Sequence, residues 1–395
     1  MRRKVGFLRA KTVDYEYWPN FIRQTAASPL LGQAIIATRH EGTAVMKFTG
    51  RENVRVYDES HNMRQQPLGG RKWQDSTWLQ WWDDQNKVGG VHRIGHEYNI
   101  EGGPPKVACW TNLVTPQGVF KRVRYLPLRE EDKLPRGWGG GDDTCRSEYI
   151  DGEHVWFFDD PEAGISAELR FKDHYNGFRT FPSSGKSADQ ISAEHLDVAG
   201  KVSGWIKMEG KTFKAEGMGL RDHGWGYRDV NLILSHRYVT GCFGPDLSFC
   251  AYAIHNASSD TIETFGFVAK GDTVHFAKNV DIIAYVENDS STTRGGHIKL
   301  TLPDGELIDC ELTSVAPGIM CHVHNMFNNN TLCRAVCNGR AGSGMFETSM
   351  NFHQGSREPD RMVGNLEKSG YYRGASSGRA SSKDSDSPYI YIQTL

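Results

Sequence analysis

The sequence predicts an all-β, antiparallel protein with few short helices, and three observations support this prediction. Many short runs alternate apolar and polar residues or are rich in β-branched and aromatic residues, with turn residues separating them every 8–12 residues or so, as in barrels and sandwiches. The chain has 43 glycines, which suit tight hairpins and strongly bent strands. No helical period persists for more than about three turns.

The elements follow from these runs in chain order. A helical period lasts longest in residues 15–25, where Pro19 limits it, and in residues 71–84. The clearest strand candidates are residues 90–100, 106–113, 118–125, 154–158, 165–171, 202–208, 211–218, 247–255, 261–268, 281–286, 297–302 and 306–312.

The length predicts two domains, because 395 residues exceed what one hydrophobic core comfortably holds. Residues 179–191 are rich in Pro, Ser, Gly and Lys and lie between two sets of strands, as a linker would. We therefore expect an N-terminal β domain in residues 1–185 and a C-terminal β domain in 186–370. Residues 371–395, rich in Ser, Gly, Arg and Lys, are expected to form a flexible tail.

Composition excludes several classes of function. The 46 basic residues nearly balance the 48 acidic ones, so the protein has no large positive net charge that would attract nucleic acid. No apolar run approaches the roughly 18–20 residues of a spanning helix. Eight cysteines without a zinc-binding spacing indicate a reducing, cytoplasmic setting. Neither a nucleophile elbow, a phosphate loop nor a dinucleotide fingerprint follows a strand, which leaves acid–base chemistry or binding.

The most informative stretch is residues 219–229, Gly-Leu-Arg-Asp-His-Gly-Trp-Gly-Tyr-Arg-Asp, directly after the strand candidate 211–218. If the extended phase continues, Arg221, His223 and Trp225 share one face and Asp222 points the other way, whereas a bulge would reverse this. Both arrangements stay open at this stage. A purely structural clamp of arginine on aspartate is the alternative to a functional site.

Protonation of a carbon–carbon double bond suits these residue types. It needs a carboxylic acid that burial keeps neutral near pH 7, and aromatic faces that stabilise a carbocation-like state. We predict Asp222 as the acid and His223 as its water partner, with Trp225 against the substrate and Arg221 near it. If an arginine pairs with Asp222, the acid must be another carboxylate, such as Glu194 or Glu97.

A second polar stripe lies upstream, behind a cluster of tryptophans that ends at Trp82. On a strand, His92 and His96 share a face about 13 Å apart, too far to bind one metal ion without a bend. We therefore predict that Trp82, His92 and His96 contribute to a substrate cavity, with surface histidines as the alternative. No metal site is expected.

The motif Arg-Asp-His-x-Trp-Gly-x-Arg at residues 221–228 resembles the signature of two-domain lipocalin-like proteins, the carotenoid 1,2-hydratase (hydroxyneurosporene synthase) and AttH-like superfamily. Glu194-His195 with residues 200–210 is similar to the strand pair before that signature, and residues 76–84 with 89–99 resemble its Trp-rich, Gly-Gly-x-x-Arg-Ile-Gly region. Residues 337–347 are similar to its closing strands. Position 224 is often serine in such proteins and is glycine here.

This resemblance implies two lipocalin-like domains, a large hydrophobic substrate and no metal or organic cofactor. His195 then becomes a candidate substrate-binding residue. The superfamily that the chain resembles includes carotenoid hydratases, kievitone hydratase-like enzymes and fungal Diels–Alderases. The resemblance therefore implies a cofactor-independent lyase that acts on a terpenoid, steroid or prenyl-type substrate. A pericyclase or cyclase and a non-catalytic carrier of hydrophobic ligands stay open, as does a homodimer.

Overall fold

The all-β, antiparallel prediction is confirmed. The computed structural model describes residues 46–69, 72–99, 103–182, 191–229, 233–256, 261–286, 293–316, 318–323, 326–351 and 370–372. A single-turn 3-10 helix spans Glu59–Asn62. The strands are β1 (Lys47–Thr49), β2 (Trp73–Asp83), β3 (Val88–Tyr98), β4 (Lys106–Thr115), β5 (Gly118–Pro127), β6 (Gly137–Gly139), β7 (Cys145–Ile150), β8 (Glu153–Asp160), β9 (Ile165–Asp173), β10 (Glu194–Met208), β11 (Lys211–Gly226), β12 (Ile233–Cys242), β13 (Ser248–Asn256), β14 (Thr261–Lys270), β15 (Thr273–Phe276), β16 (Asn279–Val286), β17 (Thr293–Thr301), β18 (Leu307–Ser314), β19 (Ile319–Val323), β20 (Met326–Cys337), β21 (Arg340–Asn351) and β22 (Gly370–Tyr372).

The strands form two large sheets. The first has the order β22-β5-β4-β3-β2-β11-β10-β9-β8-β7-β6, and the second β1-β15-β14-β13-β12-β21-β20-β18-β17-β16, with β19 beside β20. Neighbours are antiparallel except β1 and β15. The chain passes from the first sheet to the second between Gly226 and Ile233. The division into domains 1–185 and 186–370 and the flexible tail 371–395 stay predictions; residues 371 and 372 belong to β22, and the rest of the tail lies outside the described residues.

Three hydrophobic cores follow from this topology. One consists of side chains from β2–β11 and lies within the first sheet, another lies within the second, and a third joins the two sheets. Strand alternation divides β2 between two of these cores: Trp78 and Trp82 face the second sheet, whereas Leu79 and Trp81 face the interior of the first.

This double burial explains one wrong prediction. Residues 71–84 showed a helical period, but Trp73–Asp83 is strand β2, and all its residues are buried. A strand that is buried on both faces carries apolar residues on both, so the alternation that marks a half-exposed strand is lost. The other helix candidate, residues 15–25, lies outside the described part. None of the helices in the described ranges is long and apolar enough to cross a membrane.

A two-residue hairpin turn fixes the strands that carry the signature motif. Glu209 and Gly210 both have positive φ, 50° and 75°, as the tight hairpin turns that match strand twist require. Pairing then runs outward without a break from Met208 opposite Lys211 to Glu194 opposite Trp225. The strand predicted at 211–218 therefore continues through the motif to Gly226, and its alternation holds.

Candidate functional site

The continuous strand β11 sends the motif to two opposite faces. Asp222 and Gly224 face the second sheet, where they line a cavity of about 80 Å³ that we call the inter-sheet cavity. Arg221 and His223 lie on the other face and are fully buried there. The alternation without a bulge is therefore the arrangement that the protein adopts, and it separates Asp222 from His223.

Both sheets and the segment before β10 contribute to the inter-sheet cavity. The first sheet and the adjoining segments provide Gln74, Ser76, Trp78, Arg93, Trp110, Phe181, Ile191, Ser192, His195, Asp222, Gly224 and Arg228, and the second provides His236, Tyr238, Tyr252, Asn328 and Glu347. Aromatic rings therefore share the wall with charged groups, so the cavity is not the apolar one that we expected.

A pair of carboxylates lies at this wall: Asp222 lines the cavity, and Asp197 is fully buried beside it. Asp197 on β10 is directly opposite Asp222 on β11, and like charges in facing positions disfavour double ionisation. The Asp222 carboxylate keeps some accessible surface because it faces the cavity, while protein encloses it elsewhere. Burial raises the pKa of Asp222 to about 7, and Asp197 adds to this effect against the opposing charges of His195 and two arginines.

His195 is the imidazole beside this pair. Its Nε2 lies 3.4 Å from Asp197 Oδ1 and 3.1 Å from the Tyr252 hydroxyl. Its buried Nδ1 has no hydrogen-bond partner within the described ranges. Burial lowers the pKa of His195, but the carboxylates of Asp197 and Asp222 outweigh it and place the pKa above its usual range. Asp222 and His195 can therefore share a proton near neutral pH.

Two tyrosines from the second sheet hold Asp197. Tyr238 donates to Asp197 Oδ1 at 2.7 Å, and Tyr252 lies 3.2 Å from both carboxylate oxygens. The two rings stack with centroids 4.6 Å apart. On the other side, Phe181 stacks on His195 at 4.2 Å. These contacts fix the Asp197 carboxylate and the His195 imidazole, and His195 lines the cavity together with Asp222.

A row of small residues on neighbouring strands leads to His195. Gly95, Ser76 and Gly224 are successive neighbours across three strands, and His195 is the next neighbour on the fourth. A Cβ atom added at Gly224 would lie 2.9 Å from His195 Nδ1 and 3.0 Å from Ser192 Oγ. The glycine at this position of the motif therefore leaves the space that the imidazole occupies.

We expect Gly224→Ala to displace His195 and to lower stability by about 1–3 kcal/mol, as overpacking does. Urea denaturation of the variant beside Gly69→Ala measures this, because an added Cβ at Gly69 meets nothing within 4 Å. Equal stability of the two variants would show that His195 is free to move aside.

Of the eight predicted site residues, the structure places two in the wall of the inter-sheet cavity, Asp222 and His195. Arg221 does not clamp Asp222: its Nε and Nη2 donate to the carboxylate of Asp173 at 2.7 and 2.5 Å, and Nη2 also donates to Asn62. The objection that Arg221 would lower the pKa of Asp222 is thereby removed.

His223 and Trp225 lie together on the opposite face. His223 Nε2 is 2.6 Å from Asp75 Oδ1, and Nδ1 is 2.7 Å from the carbonyl oxygen of His61. The Trp225 ring lies 4.6 Å from the imidazole and 5.2 Å from Tyr57. His223 is therefore held by buried hydrogen bonds away from Asp222, and the structure does not place the two around one cavity.

The upstream candidates lie elsewhere as well. His92 accepts from Trp81 Nε1 at 3.1 Å, and burial lowers its pKa to about 3. His96 Nε2 is 3.0 Å from the Gly139 carbonyl oxygen, and burial likewise lowers its pKa. Both are neutral residues within the first sheet. Trp82 lines a second cavity, of about 590 Å³, at the other end of β2.

The two alternative acids are occupied by other partners. Glu194 accepts from the Tyr57 hydroxyl at 2.5 Å and from Arg55 at 3.1 Å. Glu97 is 1% exposed and pairs with Arg93 at 3.3 Å. Neither lines the inter-sheet cavity. Of these three predicted acids, Asp222 is the one that lines the inter-sheet cavity.

One group of residues offers ligands for a cation. His195, Asp197 and Asp222 each place one ligand atom within 4.8 Å of the others, a set that sequence spacing did not reveal. A metal ion would compete with the tyrosine hydroxyls on Asp197. We keep the prediction that the protein binds no metal tightly, and elemental analysis of dialysed protein checks it.

Sequence reasoning missed most of the wall, in particular Tyr238 and Tyr252, and also the buried Asp197 that they contact. Asp197 had a signal, because it follows His195 by two residues on a strand and so shares its face. The tyrosines face each other on β12 and β13, but only the packing of the second sheet on the first places them at Asp197.

The comparisons agree with this fold. Residues 58–352 match a family described as a domain of unknown function (DUF7064). A search of curated proteins gives no match. Among solved structures, the chain is similar to a candidate AttH protein from Nitrosomonas europaea, with 10% identity and a TM-score of 0.56 over 74% of this chain and 96% of that one.

Two further crystal structures are similar. Kievitone hydratase from Nectria haematococca has 11% identity and a TM-score of 0.51 over 78% of this chain and 96% of its own. CghA has 8% identity and a TM-score of 0.51 over 78% and 99%. Identities this low show a shared fold alone. The chain therefore shares its fold with these AttH-like and hydratase structures.

Proposed function

The chain belongs to the DUF7064 family, and we propose that it is a cofactor-independent lyase. In this proposal it adds water to a carbon–carbon double bond, removes water to form one, or shifts one, in a hydrophobic terpenoid, steroid or prenyl-type substrate. The observation that carries the proposal is the position of Asp222, whose pKa is raised to about 7, beside His195 in the inter-sheet cavity.

The chemistry follows from the two groups. Protonated Asp222 donates its proton to one alkene carbon, and a carbocation-like state forms at the other carbon. The rings of Trp78, Trp110 and Tyr238 line the cavity and stabilise that positive charge. A water molecule attacks the cationic carbon and loses a proton to His195 Nδ1. Proton transfer from His195 back to Asp222 restores the starting state, and the reverse sequence is dehydration.

The size of the cavity limits what reacts there. A volume of about 80 Å³ holds only a small part of a terpenoid, steroid or prenyl-type substrate. We propose that the reacting end of the substrate occupies it. The names of the structural neighbours support a hydratase: kievitone hydratase has the same fold.

A labelling experiment tests the proposal. Kievitone and a panel of prenylated and terpenoid alkenes are incubated with the protein in water labelled with heavy oxygen, and products are analysed by mass spectrometry. We expect one labelled oxygen per product, or loss of water from an alcohol, with the native protein and with the surface variant Asp159→Asn, and neither with Asp222→Asn. An unlabelled cyclised isomer would identify a cyclase instead. Tight binding without conversion across the panel would identify a carrier.

A further inference from the structure

Two arginines, Arg93 and Arg228, meet in the wall of the inter-sheet cavity. Arg93 Nη2 donates to the Gln74 amide oxygen at 3.0 Å, and Arg228 Nη1 donates to the same oxygen. Gln74 Nε2 in turn donates to Ser76 Oγ at 3.1 Å, which orients the amide. Two cations therefore converge on one neutral oxygen atom.

Both guanidinium groups keep unused donors. Arg93 Nη1 and Arg228 Nε are buried and have no hydrogen-bond partner in the described part of the chain. Arg93 is only 4% exposed, and its carboxylate partner Glu97 contacts it through Nη2. Buried N–H donors without acceptors are costly, and such donors in native proteins commonly mark a place for a ligand or an ion.

A glycine shapes the arginine site. An added Cβ at Gly95 would lie 2.5–2.6 Å from the guanidinium atoms of Arg93, so the side chain folds over the bare backbone at this point. Trp110 lies beside the same guanidinium, 5.3 Å from its ring centroid to Cζ. Arg93 is thus held in place from several sides, as a binding group must be.

We infer that Arg93 and Arg228 bind an anionic oxygen of the substrate, a carboxylate or an enolate. Guanidinium groups bind planar oxyanions through paired N–H donors, and two of them in one cavity wall favour a charged over a neutral oxygen. The inference rests on the proposed function of the same cavity, because it places the acidic end of the substrate at the arginines and the double bond at Asp222.

The test compares two small probes of one carbon skeleton. Senecioate is a branched unsaturated carboxylate of isoprene size, and prenol is the corresponding alcohol. We expect calorimetry or ligand-observed NMR to show senecioate binding at least about tenfold more tightly to the native protein, as a charged hydrogen bond provides. Arg228→Gln should bring the two affinities together, whereas Arg170→Gln, at an exposed ion pair on β9, should leave the difference intact.

Equal affinity of the native protein for acid and alcohol would overturn the inference without any variant, so it stays testable even if Arg228→Gln does not fold. A full preference for senecioate in folded Arg228→Gln would overturn it too. Absence of the preference in the native protein, with labelled-water incorporation intact, contradicts this inference alone. A preserved preference with no incorporation by any substrate contradicts the proposed function alone.

Discussion

Asp222→Asn is expected to lower kcat by at least about a hundredfold and to make the folded protein more stable above pH 7. The amide has the shape of the carboxyl group but cannot donate a proton to an alkene, and general acids contribute about 10²–10⁴-fold. The variant also removes the repulsion between Asp222 and Asp197, which face each other on adjacent strands.

The pH dependence follows from the raised pKa of Asp222. Its ordinary value is 3.8 and its folded value about 7, so folding favours the protonated form. The native protein has the full stabilising contribution of this group below about pH 4 and loses it as pH rises through about 7. At about 1.36 kcal/mol for each pKa unit, the loss is at most about 4 kcal/mol.

Asp222→Asn does not undergo this loss, so its advantage in the free energy of unfolding should grow between about pH 4 and pH 8. Urea denaturation at several pH values measures it, with Asp159→Asn, an exposed carboxylate on β8, as the matched control. A variant that is less stable than the native protein at every pH would mean that Asp222 is part of a structural ion pair.

The orientation of the signature could be predicted from sequence because strand alternation is a local property. Phe213, Ala215 and Gly217 set the phase, and the strand keeps it through Trp225. The carboxylate pair could also have been predicted from the hairpin. A two-residue turn at Glu209-Gly210 fixes the register, and each step outward from it leads to Asp197 opposite Asp222.

The remainder of the site depends on packing that no local pattern encodes. Tyr238 and Tyr252 reach Asp197 only because β12 and β13 lie against β10 and β11. The buried histidines misled the sequence reasoning for a related reason. His92 and His96 occupy one face of β3 as predicted, but that face belongs to the interior of the first sheet. Sequence alternation identifies which residues share a face, but it does not identify what covers that face.

His223 is the residue for which sequence and structure lead to opposite expectations. The motif suggested a catalytic role, in which His223→Ala would abolish turnover and leave the fold intact. In the structure the imidazole and the Asp75 carboxylate are both almost fully buried and lie 2.6 Å apart. Trp138 Nε1 and the backbone N–H of Gln65 donate to the other Asp75 oxygen. His223 is thus part of a buried network of hydrogen bonds around Asp75.

We therefore expect His223→Ala to destabilise the protein by about 3–5 kcal/mol, because it removes one partner of the buried His223–Asp75 pair and leaves the other buried. His154→Ala is a control of equal volume loss, since His154 is also buried but neither of its ring nitrogens has a partner among the described residues. It should cost less, and His223→Gln, which restores one donor to Asp75, should recover part of the loss. Denaturation curves of the three variants, with turnover measured per folded molecule, separate the structural role of His223 from a catalytic one.

Because His223 and Asp222 occupy opposite faces of β11, the folded fraction of His223→Ala should retain native kcat. A stable variant that has lost turnover would instead restore His223 to the catalytic site.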